Sequence, residues 1–272
     1  MARRGTNMSW TLFKANLKAN RFIWILITVI YSFYAVMLVT MFDPENTETM
    51  AEMMEMMPKE LLDTLGFTIG TTLLTHISGF LYSMLLYLFP LIITIIVNHR
   101  LIASHVDKGS MAYLLSTSNS RGKIVMTQAL FSLLSIASVF MVITVVQILV
   151  ASSMFPGELE IGKFIMLNMY ALILYFAISG VCFFASSISN ESKYSLGLGA
   201  GIPIAFVVLD MLGNTAENVS WIGNLSIFGL FEPDRLFAGD AFAYIGMGVL
   251  GVIAIVLYIG AITFFKKRDL PL

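Results

Sequence analysis

The chain has 272 residues, of which 58% are hydrophobic and only 12% charged, with a mean hydropathy of +0.85. A soluble domain carries about twice that share of charge, so the composition excludes a soluble globular fold. A formal net charge of −1, from 16 basic and 17 acidic residues, offers no electrostatic footprint for nucleic acid, and the single Cys182, inside an apolar run, excludes an intrachain disulfide and a cysteine-based metal cluster.

Apolar runs long enough to cross about 30 Å of hydrocarbon fall near 22–41, 77–97, 124–150, 164–185, 195–212 and 241–265. They predict an all-α integral membrane protein with six transmembrane helices in a single domain over residues 1–272. Ahead of the first run, Trp10, Phe13 and Leu17 recur at helical spacing beside Lys14, Lys18 and Arg21. That pattern predicts an N-terminal interfacial helix, with its tryptophan among headgroups and its cations on anionic lipid. The run itself is too long for a signal-peptide core and has no small-x-small site before Asp43, so we read it as an uncleaved span.

The first outer loop, Asp43 to about Thr75, holds Met50, Met53, Met54, Met56 and Met57. Thioethers are soft metal ligands. On a helix, however, Met50, Met53, Met54, Met57, Leu61 and Leu65 share one face and Glu48, Glu52, Glu55, Lys59 and Asp63 the other, so outer amphipathic helices account for the run without a metal. Pro58 fits the first residue of a second helix. Between spans two and three, residues 99–123 pass through Asp107, Lys108 and Gly109, run from Met111 to Leu115 and turn at Ser116–Ser120, which reads locally as a short amphipathic helix with polar capping.

In the second outer loop, GELEIGKF comes close to a phosphate-binding loop. Phe164 nevertheless stands where a magnesium-holding Ser or Thr is needed, no strand precedes it, and Glu158 and Glu160 would repel phosphate, so it is not read as a nucleotide site. Gly197, Gly199 and Gly201, ahead of Pro203, predict close packing or a kink in span five. The third outer loop, roughly Gly213 to Asp240, is too apolar for a free loop and too broken by Gly and Pro for a seventh span; it predicts short amphipathic or re-entrant helices. Asp210 is the one acidic residue inside an apolar run, a candidate contact for substrate or proton. Two or three residues from the boundary, it is expected to reach headgroup water. Gln147 and Asn168 are the weaker polar candidates, expected to hydrogen-bond between helices.

Charge orients the bundle. Arg3, Arg4, Lys14, Lys18, Arg21, Arg100, Lys108, Arg121, Lys123, Lys193, Lys266, Lys267 and Arg268 fall on one side, leaving only Lys59, Lys163 and Arg235 on the other. The positive-inside bias therefore places both termini and the 99–123 loop in the cytoplasm.

That loop carries a resemblance. Asp107 and Gly109, then Leu114, Leu115, Ser116, Thr117, Ser118, Asn119, Ser120 and Arg121, resemble the type-2 family of ABC transporter permeases, whose corresponding loop has an acidic, glycine-containing stretch followed by Leu-Leu-Ser-Thr-Pro-x-Ser-Arg. The chain departs from it at Ser118, where the family has proline, and at His105 and Asp107, where it has glutamates. PKELLDTLGF in the first outer loop and NLSIFGLFEP in the last are similar to the family too, so nearly the whole chain is covered by loose motifs. The resemblance implies a permease subunit of an ATP-driven exporter in the bacterial plasma membrane, dimeric with an identical or paralogous second permease. It implies a cytoplasmic coupling helix against a separate ATPase subunit, which would hold the ATP and Mg; no catalytic residue, metal or cofactor is expected on this chain. Asp107, Lys108, Gly109, Ser116, Thr117 and Arg121 are the implied candidates for that contact or for the fold presenting it. Two rivals are a proton- or ion-coupled carrier and an intramembrane enzyme; for the latter, His76, His99 and His105 are too scattered for one centre and no hydrolase motif is present.

Overall fold

The computed structural model describes residues 8–44, 56, 58–65, 67, 70–117 and 119–268, and no β-strand occurs among them. Six helices are long and apolar enough to cross a membrane, one for each apolar run, so the chain is an all-α multi-pass membrane protein. They are α1 (Trp10–Thr40); a second span made of α3 (Leu73–Phe80), a π-helical turn (Leu81–Leu85) and α4 (Leu86–Leu101); α7 (Arg121–Met154); α8 (Ile161–Ile188); α9 (Ser192–Thr215); and α12 (Ala241–Lys267). Between them lie α2 (Lys59–Leu65), α5 (Ala103–Asp107), α6 (Ser110–Ser116), α10 (Ser220–Gly223) and α11 (Pro233–Phe237).

The helices overrun the apolar runs because capping chemistry, not hydropathy, ends a helix. Ser9 accepts from the Leu12 N–H at 3.5 Å, Ser120 from Lys123 at 3.2 Å and Asp240 from Phe242 at 3.0 Å, and Thr72 with Thr75 forms a reciprocal capping box. One expectation is corrected. The basic N-terminal segment is no separate interfacial helix: α1 runs unbroken for 31 residues, about 46 Å at 1.5 Å per residue. Its polar side is what anchors it. The Asn16 amide donates to Gln128 on α7, the Ser9 N–H to Thr127 at 2.8 Å and the Trp24 indole to Ser138 at 2.8 Å. Phe13 meets Phe131 edge-on while Trp10 and Leu17 stay exposed. Buried amides paired across helices hold the segment in line with the span.

Span four, α8, is the hub. In its most apolar window 67% of residues are buried within the chain, against 22% for α9 and 28% for α1, α7 and α12, whose outer sides are free for lipid or another chain. Apolar helices gain little by leaving lipid for one another, so small residues and hydrogen bonds must dock them. Gly180 accommodates Leu257 of α12, and Gly199 of α9 lies against Cys182 and Ala185, which bears out the packing role expected of one of the three span-five glycines. Ser179 of α8 joins Asn98 (α4), Ser132 (α7) and Tyr258 (α12) in one cluster with contacts of 2.7–3.0 Å.

The same helix repairs the two proline-interrupted spans. Pro90 has no N–H for the Leu86 carbonyl, and the Tyr175 hydroxyl donates there instead. Pro203 likewise orphans the Gly199 carbonyl, which accepts from the Cys182 thiol at 3.0 Å. In hydrocarbon a freed carbonyl has no water to fall back on, so these side chains are what makes proline tolerable.

Candidate functional site

On the face where α1 begins and α12 ends, here the basic face, the 99–123 segment folds as two short helices rather than the single one expected. Ile102 leaves helical geometry (φ −129°, ψ −64°), and the break frees one carbonyl and one N–H. The Gln128 amide donates to the Leu101 carbonyl at 2.8 Å and the Ala103 N–H donates to Ser186 at 3.0 Å, so the base of the loop is clamped to α7 and α8. After α5, Gly109 takes a left-handed turn (φ +67°) that a side chain would strain. His105 and Ser110 bond across that turn at 2.9 Å. Ser116 and Thr117 return their hydroxyls to the Tyr113 and Leu114 carbonyls at 2.9 and 2.7 Å and end α6, and Ser120 then caps α7.

The six loop candidates therefore divide. Gly109, Ser116 and Thr117 shape the hairpin, and Lys108 is exposed. Asp107 and Arg121 are braces. The Asp107 carboxylate accepts from the hydroxyl (2.7 Å) and backbone N–H of Ser192, the first residue of α9, where the helix dipole also favours an anion. Arg121 donates at 2.8 Å to the backbone carbonyl of Arg268. Arg268 in turn donates to the carbonyls of Ser187 and Ser189 (3.2 Å) and to the Asn190 side chain (3.0 Å), closing the carboxyl end of α8. Burial pulls the pKa of this guanidinium down from its ordinary value, yet that value is so high that it stays charged near neutrality. Sequence reasoning took Arg268 only for a topology signal and missed Tyr113. With Met111 buried as the anchor of α6, Tyr113 points the other way and is 79% exposed. A seven-residue helix is too short for periodicity to settle which way each residue faces.

The opposite, acidic face holds the polar candidates. Asp210 does not reach headgroup water as expected: it is 7% exposed, accepts from the Tyr87 hydroxyl at 2.5 Å and bonds the Asn214 side chain. The cover comes from residues 216–234, which fold back over the end of α9. Gly213 and Gly223 touch backbone to backbone, so a Cβ on Gly213 would sit 2.4 Å from the Gly223 nitrogen. A cavity of about 380 Å³ remains between this fold-back and the π-helical turn of span two. Ser83 leaves helical geometry within that turn (φ −97°, ψ −109°), and its hydroxyl donates to the Gly79 and Phe80 carbonyls at 2.9 and 3.0 Å. Asn168 makes the interhelical bond expected of it, accepting from Tyr82 on the cavity wall at 2.7 Å. Gln147 does not. Fully buried, its amide has no hydrogen-bond partner among the described residues.

Pro58, expected as the first residue of a helix, lies one residue ahead of α2, its carbonyl accepting from the Leu61 and Leu62 N–H groups. The methionine run lies outside the described residues except for Met56, which is exposed. In GELEIGKF, Lys163 pairs with Glu160 at 2.9 Å and Phe164 is fully buried in the first turn of α8. His76 bonds the Leu38 carbonyl, His99 bonds Ser195 and His105 bonds Ser110, three sites on separate elements. Neither a protein-family model nor a curated protein matches the chain.

Proposed function

We propose that the chain is the membrane-spanning permease subunit of an ATP-driven exporter of the type-2 ABC family, acting as a dimer and driven by separate ATPase subunits through the 99–123 loop. One observation carries the reading beyond the motif resemblance. The loop is a pair of short helices braced to α7, α8, α9 and, through Arg121, to the end of α12, while Tyr113 in the middle of the second helix is bare. An ATPase on another chain can do work on the membrane helices only through an element that is rigid at its root and accessible at its tip. An exposed tyrosine is the kind of anchor such a contact uses. The positive-inside bias supports a cytoplasmic side for this face, where ATP is.

The reading separates two kinds of variant. Tyr113→Ala is expected to weaken ATPase association by about tenfold or more, as loss of an interface anchor does. Charge reversal at Asp107 or Arg121 is expected to leave the subunits assembled while ATP turnover no longer drives transport, because these residues brace the loop. Equal transport and coupling in all three variants would contradict the assignment. A second reading, a carrier driven by a proton or ion gradient, draws on buried Asp210 and the interrupted second span. Transport by the purified chain alone in response to an imposed gradient would favour it.

A further inference from the structure

The cavity on the acidic face holds a buried carboxyl group without a counter-charge. Its lining includes Asp210, Glu232 and Asp234 and, among the described residues, no lysine, arginine or histidine. Glu232 is compensated, since Arg235 pairs with it and lies 3.9 Å from Asp240. Asp210 is not. It is 7% exposed and held by neutral donors, Tyr87 and Asn214, with no ion pair among the described residues. A desolvated carboxylate is costly unless a counter-charge meets it, and otherwise takes up a proton. The rest of the lining is small and polar, Ser, Gly and Asn with Pro233, except for an aromatic part in which Tyr87 packs edge-on against Phe228 at 4.8 Å and Tyr82 lies 6.5 Å from Phe231. Ring faces attract cations, and a volume of about 380 Å³ falls among small-ligand sites rather than bare-ion sites.

We propose that this cavity binds an organic cation carrying an ammonium or guanidinium group, with Asp210 as its counter-charge and Tyr87, Phe228 and Phe231 on its aromatic side. The proposal deepens the permease reading by naming the class of molecule carried. It rests on that reading only for the movement of the ligand, not for its binding.

The test uses the full chain in phosphatidylcholine nanodiscs and two probes, dansyl cadaverine and its N-acetylated, uncharged form, read by fluorescence anisotropy. The charged probe is expected to bind saturably and at least about tenfold more tightly than the acetylated one. Asp210→Asn, which keeps the hydrogen-bonding shape, is expected to abolish that preference and leave the acetylated probe unchanged. Phe228→Leu is expected to weaken the charged probe a few-fold, and it serves as the second variant should Asp210→Asn fail to fold. Equal binding of the two probes to the unmodified chain overturns the proposal, as does an unchanged preference in both variants. Charge preference in a chain that recruits no ATPase would leave the site standing and remove the permease reading; ATPase recruitment with no preference would do the reverse.

Discussion

Single side chains in this protein complete backbone bonds that the sequence has broken. Tyr175→Phe keeps the ring but orphans the Leu86 carbonyl, at an expected cost of about 1–3 kcal/mol in thermal or denaturant unfolding. Pro90→Ala restores the missing N–H, so in that background the same Tyr175→Phe change is expected to cost close to nothing. An equal cost in both backgrounds would show that the tyrosine serves packing alone. Gln147 is the opposite case, a buried amide with neither atom bonded among the described residues. Gln147→Met removes the unmet polar group at similar volume and is expected to raise the unfolding temperature. A lower one would mean that the amide has a partner in a second chain or a lipid.

At the scale of elements, the decisive joint is the end of span six. Arg268 closes α8 with its side chain and receives Arg121 on its carbonyl, so one residue ties the loop hairpin to the hub. Arg268→Ala is expected to speed hydrogen exchange at the carboxyl end of α8 and across α5–α6, and Lys267→Ala to leave both unchanged. Equal protection in the two variants would remove the joint from the account. The spans themselves were legible because each is a long apolar run, and the start of α12 coincides with its run; α7 starts at Arg121, ahead of its run, because Ser120 caps it there. The continuity of α1 was not legible. Its amphipathic pattern fits a helix lying in the interface as well as one docked on end, and only partners on α7, over a hundred residues away, decide between them. The burial of Asp210 was hidden for a related reason: position along the helix says how deep a residue sits, not whether a later loop folds back to cover it. The π-helical turn carries no glycine or proline to announce it.

For the molecule as a whole, orientation and drive remain the points on which function turns. Single-cysteine labelling tests the first, and the structure improves its background. Cys182→Ala would orphan the Gly199 carbonyl, whereas Cys182→Ser keeps a donor there. In that background, cysteines at the exposed Glu158 and Lys108 are expected to be labelled only from outside and only from inside the cell, respectively. The reverse pattern would put the loop where no cytoplasmic partner could reach it. The resemblance in the loop was legible from a handful of residues, yet Tyr113, the residue best placed to touch a partner, carries no motif and emerges only once Met111 is seen to face the core.

The most direct test of the drive is to isolate the chain from its native membrane in nanodiscs and measure ATP hydrolysis and transport in the same preparation, with and without Tyr113→Ala. An ATP-hydrolysing subunit is expected to accompany the native chain and to be lost from the variant, with transport lost alongside it. A fully active transporter purified with no ATPase chain would contradict this expectation.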